Sequence, residues 1–389
     1  MTRTRFFLAA AVILLAASLE LWSTGRVLAD DDDNDTSESV RLPRQQGMQP
    51  GTARIVPPGE QDAGSAMPPP VMQADDAAPT PQEDRQEGQS NERDPSLTLD
   101  RQQARLYMVE LINRDRAAEH LPPVILDMVA SQAGQSHTEE MVANGYHGHW
   151  GMDGTKPPQR YTEGGGRDYD MENAWFSGFK EGGKAKPDQD PHFSKEELEK
   201  AEYTFISEKP PMDGHRKNIL TPQHNGVGIC ISRATGQDYH FRMALTQEFI
   251  NHYGVYGEMP YEATFGDVVT LAGQLYPGFR LHDITVFRED LPKPMTLDEL
   301  NATYSYPFPP KVVVYFPPPF RSEIPISVTE TQQGEQFSAQ IPIEKKLGAE
   351  GLYSIGIWAT PLSDGKPVMV SIRTITVTKR GHDKSKAAR

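Results

Sequence analysis

The stretch SEKPPMDGHRKNIL, residues 207–220, sets a glutamate and a histidine on either side of a Pro-Pro pair. Consecutive prolines cannot continue a helix, and the Asp-Gly pair that follows them is typical of a turn. We therefore expect Glu208 and His215 at opposite ends of an exposed, irregular connection. Binding residues are common on loops that a rigid scaffold holds in place, so this stretch is the first candidate for a functional site.

The N-terminus reads MTRTRFFLAAAVILLAASLELWSTGRVLADDDD and has the pattern of a secretory signal. Two arginines precede an apolar run, and small residues lie at the cleavage-determining positions before Asp30. The pattern predicts a signal peptide over residues 1–29 and a secreted or periplasmic protein. An uncleaved anchor is the alternative, although a membrane span needs about 20 apolar residues and this run is marginal for that.

Residues 30–97 are rich in Asp, Glu, Gln, Pro and Gly and nearly free of aromatic residues, which predicts a disordered acidic linker. The whole chain of 389 residues has a net charge of −15, which argues against a nucleic-acid partner because phosphate binding rests on clustered Lys and Arg. Cys230 is the only cysteine, so an intrachain disulfide is excluded. We interpret it as a small buried apolar residue.

Residues 98–256 are predicted to form a layered α+β domain, in which helices come first and a short antiparallel sheet follows. A second helix begins after the N-cap Asp127 and ends at Asn144, which a glycine follows. Ser194 and Glu197 form the capping box of a third helix, and Leu198, Ala201 and Phe205 form its apolar stripe. The strand signals are GVGICIS and YHFRMALTQEF.

The first helix of this domain carries apolar residues at three- and four-residue spacing. Leu106, Val109 and Ile112 make the stripe, and Ala104 and Met108 lie beside it. We expect this stripe to be the buried face of the helix.

Residues 259–379 contain short strands separated by Pro, Gly and Asn, which predicts an all-β sandwich of immunoglobulin-like size. Residues 380–389 form a basic tail. The predicted fold class is therefore α+β followed by an immunoglobulin-like sandwich.

An ordered series of segments in the middle domain resembles the CAP superfamily, the fold shared by cysteine-rich secretory proteins, antigen 5 and pathogenesis-related plant proteins, in its disulfide-free bacterial form. The resemblance covers nearly all of residues 103–250 and implies a three-layer α-β-α sandwich, also called an SCP-like domain. The segments that carry it are VELINRDRAAEHLPPV, QSHTEEMVANGYHGHWGMDGTKPPQRY, MENAWF, ISEKPPMDGHRKNIL, NGVGICIS and ALTQEF.

The resemblance implies a central cleft with two histidines and two acidic residues. The first histidine matches His149, because the family sets it four residues before an Asp-Gly turn. The first glutamate matches Glu172 of MENAWF, and the second histidine matches His215 of GHRKNIL. Glu208 fits the second glutamate.

Two other histidines have to be considered as possible site residues. His147 lies two residues from His149 in the same loop and could approach the same site. His137 falls on the apolar face of the second helix, where we interpret it as a packed core residue.

These residue types suit a metal ion. Two neutral imidazoles and a carboxylate can bind Zn²⁺ or another divalent cation with water completing an open site, and the remaining carboxylate can orient a ring. Without metal, the two glutamates should favour the protonated imidazolium and make the cluster sensitive to pH near neutrality. The alternative is a buried polar network that holds the loops in place.

Three functions follow from these observations. The first is an extracytoplasmic binding module whose cleft binds a divalent cation or a small ligand. The second is a metal-assisted hydrolase, with Glu172 or Glu208 as the candidate general base. The third is an envelope or extracellular interaction protein that acts through the β-sandwich.

Overall fold

The computed structural model describes residues 96–178, 184–235, 241–363 and 365–379. The predicted signal peptide, the predicted linker up to residue 95 and the predicted basic tail lie outside the described residues. None of the helices within the described residues has the length and apolar character needed to span a membrane.

The described chain mixes helices and strands, which confirms the α+β class. Seven helices are described. They are α1 Arg101–Ala118, α2 Met128–Ala133, α3 Gln135–Asn144, α4 Pro157–Glu163, α5 Lys195–Ile206, α6 Gly214–Ile219 and α7 Leu297–Ala302.

The described strands fall into a middle group and a C-terminal group. The middle group comprises β1 Leu99–Asp100, β2 Ile125–Leu126, β3 Tyr169–Gly178, β4 Lys186–Pro187, β5 His192–Phe193, β6 Gly226–Thr235 and β7 Phe241–Asn251. The C-terminal group comprises β8 Gly254–Tyr256, β9 Glu262–Thr264, β10 Val268–Leu275, β11 Phe279–Glu289, β12 Lys311–Tyr315, β13 Ile326–Thr331, β14 Gly334–Pro342, β15 Gly351–Pro361 and β16 Val368–Thr378.

The main sheet of the middle part has the strand order β2-β6-β7-β3, and helices cover both of its faces. Successive residues of a strand point to opposite faces. On β6, Val227 and Ile229 pack in one core with residues of α1 and α5. Cys230 follows Ile229 and points to the other face, where its Sγ lies 3.6 Å from the carbonyl oxygen of Ala130 in α2.

The buried face of α1 differs from the predicted stripe. Leu106 is 49% exposed, whereas Ala104 and Met108 are fully buried together with Ile112. Both stripes have helical spacing in the sequence, so the spacing alone does not choose between them. Packing against β6 and α5 does, and it turns the Leu106 side toward solvent.

The predicted second helix, from Asp127 to Asn144, is two helices that meet at Gly134. A Cβ at Gly134 would lie 2.5 Å from Glu248 Oε1 and 2.6 Å from Cys230 Sγ. The backbone can approach the sheet this closely only because the residue has no side chain. Both predicted ends are confirmed, since the aspartate caps α2 and a glycine with φ 73° follows α3.

Helix α5 follows the predicted pattern. The Ser194 Oγ accepts from the Glu197 backbone N–H at 3.2 Å, and a Glu197 carboxylate oxygen accepts from the Ser194 N–H at 2.9 Å, which confirms the capping box. Its predicted apolar stripe, Leu198, Ala201 and Phe205, is buried. The helix ends at the start of the Pro-Pro connection.

The C-terminal part consists of two open sheets, with strand orders β13-β14-β10-β8 and β12-β11-β15-β16-β9. Residues from both sheets share one apolar core, including Leu271 of β10 and Ile355 of β15. Two sheets packed on a common core form a sandwich. The immunoglobulin-like class of this sandwich stays a prediction.

Strand pairing assigns residues 254–256 to the C-terminal part, although the sequence places the end of the middle domain at residue 256. Strand β8 pairs antiparallel with β10, because its Gly254 and Tyr256 continue the four-stranded sheet. The two parts also contact through β16. The Asn251 side-chain N–H donates to the Met369 carbonyl at 2.8 Å.

Candidate functional site

His149 lies in the loop that joins α3 to α4, and Glu172 lies on β3. The His149 Nδ1 is 2.8 Å from the Glu172 Oε1, and both residues are buried. A carboxylate on Nδ1 stabilises the tautomer that carries its proton there, so Nε2 is left as the basic nitrogen. These two predicted site residues therefore form one orienting pair.

His215 is the second residue of α6, and Glu208 precedes the Pro-Pro connection. The His215 Nδ1 is 2.6 Å from the Glu208 Oε1, and the His215 backbone N–H donates to Oε2 at 2.9 Å. The N-cap Asp213 makes no side-chain capping bond, so the distant glutamate satisfies the start of this helix. Glu208 thus holds both the helix end and the imidazole.

The two pairs face each other across the cleft. The centroids of the His149 and His215 rings are 6.4 Å apart. Asn173, next to Glu172 on β3, positions the second pair, because its side-chain N–H donates to the His215 carbonyl at 3.2 Å. The Asn218 amide of α6 donates to Asn173 Oδ1 at 3.0 Å and completes the link between β3 and α6.

Arg160 is a site residue that the sequence reasoning missed. It is the fourth residue of α4, and its guanidinium donates to Glu172 Oε2 at 2.7 Å and to the His149 carbonyl at 2.9 Å. The side chain is only 9% exposed. The Pro-Pro pair at the start of α4 could have indicated this residue, because it marks where the helix begins and Arg160 follows one turn later.

Two glutamates lie opposite each other on neighbouring strands, Glu172 on β3 and Glu248 on β7. Burial raises the pKa of Glu172, while the Arg160 guanidinium lowers it. Burial and the charge of Glu172 raise the pKa of Glu248 well above its ordinary value. Two close carboxylates repel each other when both are ionised. Glu172 therefore carries the negative charge beside Arg160, and Glu248 holds the proton.

The prediction that the two glutamates favour the protonated imidazolium is wrong. Burial lowers the pKa of His149 to about 3, and the positive charge of Arg160 acts in the same direction. Burial also lowers the pKa of His215 more than the Glu208 carboxylate raises it. Both imidazoles are therefore neutral at neutral pH, because desolvation of the charged form outweighs the attraction of the carboxylates.

The connection between β11 and β12, residues 290–310, covers the His149 side of the cleft. The Tyr306 hydroxyl accepts from the Glu172 backbone N–H at 2.9 Å, and the Tyr306 ring packs edge-on against His149 with centroids 4.8 Å apart. The Trp150 indole N–H donates to the Ser305 carbonyl at 3.0 Å. The C-terminal part thus supplies residues to the cleft, which no sequence motif of the middle domain indicated.

This cover makes access to the two pairs unequal. The side chains of His149 and Glu172 are 10% and 0% exposed, whereas those of His215 and Glu208 are 29% and 22% exposed. The His215–Glu208 pair is therefore the more exposed of the two.

The two competing histidines have other partners. The His147 Nε2 lies 3.0 Å from the Ala174 carbonyl oxygen on β3. The His137 Nε2 lies 2.9 Å from the Gly148 carbonyl oxygen, within the buried core. Both rings therefore contact backbone that holds the loop in place.

A divalent cation is the group that the resemblance implies. Within the part of the chain that the structure describes, no group of three or more His, Cys, Asp or Glu side chains is arranged to hold a metal ion. The reason is that each glutamate occupies the Nδ1 of a histidine, so the donors that remain are two Nε2 atoms. Two imidazoles bound to one tetrahedral ion would have centroids roughly 5 Å apart. A two-nitrogen site with carboxylates behind the rings would therefore need His149 and His215 to approach by roughly 1 Å.

No curated protein matches this chain. Among solved structures, an extracellular protein containing a SCP domain from Bacillus anthracis str. Ames is 22% identical with a TM-score of 0.27. The match covers 38% of this chain and 40% of that one, so this chain spans less than half the length of that protein. An outer surface protein from Borrelia burgdorferi is 14% identical with a TM-score of 0.27, and the match covers 37% of this chain and 90% of that one.

The family comparison is specific to the middle of the chain. The model of the cysteine-rich secretory protein family, CAP, matches residues 109–249. This range contains all four residues of the two His–Glu pairs and the helices and strands that hold them. Residues 109–249 of this chain therefore form a CAP domain of the cysteine-rich secretory protein family.

Proposed function

We propose that this protein is an extracytoplasmic binding module whose cleft binds a divalent cation through the Nε2 atoms of His149 and His215, or a small ligand at the same place. The observation that carries the proposal is the pair of carboxylate–histidine contacts at 2.8 and 2.6 Å, with the two rings across one cleft. The predicted signal peptide supports the extracytoplasmic location.

Each residue has a distinct part in this function. Glu172 and Glu208 hold the Nδ1 protons and so keep Nε2 of each ring basic and oriented toward a ligand. Arg160 keeps Glu172 ionised behind the buried ring. A divalent cation supplies a Lewis-acidic centre to which the oxygen atoms of a small ligand can bind.

The contacts favour binding over metal-assisted hydrolysis. A general base needs a carboxylate oxygen within reach of the attacking water. Of the two candidate bases, Glu172 is held by His149 and Arg160, and Glu208 is held by the ring and the backbone N–H of His215. Hydrolysis remains the alternative function, and an envelope or extracellular partner for the β-sandwich remains a prediction.

Zinc titration of the full chain tests the proposal. We expect one zinc ion to bind per chain by isothermal titration calorimetry, and we expect His215→Ala to abolish this binding. His282→Ala is the matched control, because His282 has the same Nδ1–carboxylate contact, at 2.7 Å from Asp283, but lies in the C-terminal part.

The result can go against the proposal in two ways. Equal zinc binding by wild type, His215→Ala and His282→Ala would place the metal elsewhere. Hydrolysis of a peptide or ester library that requires zinc and is lost in Glu208→Gln would favour the hydrolase instead.

A further inference from the structure

A buried acid, Glu202, lies on α5 outside the two His–Glu pairs. It is fully buried, and its Oε2 accepts a hydrogen bond from the Gln247 side-chain amide of β7 at 2.6 Å. Its Oε1 forms no hydrogen bond with the described residues. Burial and the neighbouring Asp115 raise the pKa of Glu202 to about 8, so the carboxyl is mostly protonated at pH 7. The bond to Gln247 is therefore made by a neutral acid.

The packing of α5 does not require this acid. Leu198, Ala201 and Phe205 already form the apolar stripe that packs the helix into the core. An apolar side chain at position 202 would avoid the cost of removing a carboxyl group from water. The hydrogen bond to Gln247 is thus what Glu202 provides and an apolar residue could not.

Hydrogen bonds continue from Gln247 to the cleft. The Gln247 Oε1 accepts from the Asn173 side-chain amide of β3 at 3.0 Å, and that amide also donates to the His215 carbonyl at 3.2 Å. Gln247 and Asn173 are 0% and 1% exposed, so water does not compete for these groups. Because Glu202 accepts from the nitrogen of the Gln247 amide, the oxygen of that amide faces Asn173. The acid therefore sets the direction of the whole chain of hydrogen bonds.

Helix α5 also holds His215 by more direct contacts. Phe205, near the end of the helix, packs on the imidazole with ring centroids 4.8 Å apart. Glu208, just beyond the helix end, accepts from the His215 backbone N–H at 2.9 Å and lies 2.6 Å from its Nδ1. The chain from Glu202 adds the His215 carbonyl to these contacts. The placement of His215 therefore depends on how α5 is fixed to the sheet, and Glu202 joins the two.

We propose that Glu202 is a positioning residue of the cleft, which fixes His215 through the side chains of Gln247 and Asn173. It acts through these two amides and does not contact the ligand. The zinc measurement below rests on the proposed function, whereas the NMR measurement does not.

Substitutions at position 202 of the full chain test this role. Glu202→Leu removes the acceptor, so the Gln247 amide loses its partner and Asn173 loses its fixed orientation. We expect the zinc Kd, measured by calorimetry at pH 7, to weaken about fivefold, the cost of one hydrogen bond. The imidazole Cε1–H signal of His215 in NMR spectra, identified by its loss in His215→Ala, should shift. Glu202→Gln keeps a neutral acceptor of the same shape and should restore both quantities to the wild-type values.

Gln247→Met breaks the same chain one step later and is the second variant, which decides the matter even where Glu202→Leu does not fold. It should shift the His215 signal and weaken the zinc Kd by a similar factor. The double variant should bind zinc no more weakly than the single variants, because both substitutions act through one chain.

Leu198→Ala is the matched control, because this residue is fully buried on the same helix but lies outside the chain. It should lower the Tm and leave the zinc Kd and the His215 signal unchanged. A wild type that binds no zinc would refute the proposed function, and the His215 signal would still decide the role of Glu202. Unchanged His215 signals in Glu202→Leu and Gln247→Met, or an equal shift in Leu198→Ala, would overturn the inference.

Discussion

The buried contact between Arg160 and Glu172 allows a quantitative prediction for Arg160→Met. In the wild type, the guanidinium donates to Glu172 Oε2 at 2.7 Å and to the carbonyls of His149 and Thr155 at 2.9 and 3.3 Å. Methionine keeps much of the buried stem but removes the charge and all three bonds. The carboxylate of Glu172, whose side chain is 0% exposed, then has no cation beside it.

The expected loss in the free energy of unfolding is about 3–5 kcal/mol near pH 8, the usual cost of leaving one partner of a buried ion pair alone. This loss should shrink at lower pH. Burial already raises the pKa of Glu172 from its ordinary 4.5, and Arg160 is what opposes that rise. Without Arg160 the folded protein holds the carboxyl proton more tightly than the unfolded chain does.

The sign of the pH effect follows from that proton. A group whose folded-state pKa is raised stabilises the folded protein below its unfolded pKa, and the stabilisation is lost as pH rises toward the folded value. For one carboxyl, the free energy of unfolding of the variant relative to wild type should fall by up to about 1.4 kcal/mol per pH unit above pH 4.5. The deficit is therefore smaller at pH 5 than at pH 8.

Urea unfolding at pH 5 and pH 8, followed by intrinsic fluorescence, measures both quantities. The double variant Arg160→Met/Glu172→Gln should regain part of the loss and should lose the pH dependence that Glu172 causes, because the buried Glu172 charge is removed. Arg114→Met is the control, since its pair with Asp115 is exposed on the Arg114 side and should be worth less than about 1 kcal/mol. A deficit that is equal at both pH values, or below about 1 kcal/mol at pH 8, would refute this reasoning.

Three further predictions address the cleft and its support. Because burial lowers the pKa values of His149 and His215, zinc affinity measured by calorimetry should fall from pH 7.5 to 6 by clearly less than the loss of about tenfold expected for two histidines with ordinary pKa values. Tyr306→Ala should expose the buried His149 ring and speed zinc association in stopped-flow measurements. Tyr306→Phe keeps the aromatic ring at position 306 and should change the rate little. Equal rates in both variants would contradict a covering role for Tyr306. Gly134→Ala should destabilise the protein by about 1–3 kcal/mol in a thermal unfolding assay, because its Cβ would lie 2.5 Å from a buried carboxylate oxygen. Gly214→Ala is the control, since no atom lies within 4 Å of its Cβ, and it should be neutral or stabilising in the same assay.

Local features of the fold could be predicted where neighbouring residues decide them. The Ser194–Glu197 capping box and the apolar stripe of α5 are examples, since both depend on residues within a few positions of one another. The buried face of α1 could not be chosen in this way, because two stripes share the same spacing. Its orientation depends on β6 and α5, which are distant in the sequence.

The candidate site was likewise predicted only in part. The ordered motifs point to His149, Glu172, Glu208 and His215, and the structure shows them as two His–Glu pairs. Sequence alone misassigned the protonation of the pairs, because charge complementarity can be read from residue types while desolvation depends on burial.

The sequence by itself determined that the chain has an α+β middle part with CAP motifs in order and a strand-rich C-terminal part. Only the tertiary structure decided that Arg160 supports the buried pair and that Tyr306 of the C-terminal part covers it. The physical reason is that each of these features is a contact between side chains on different elements of the fold. Their burial and pairing arise only when those elements pack together.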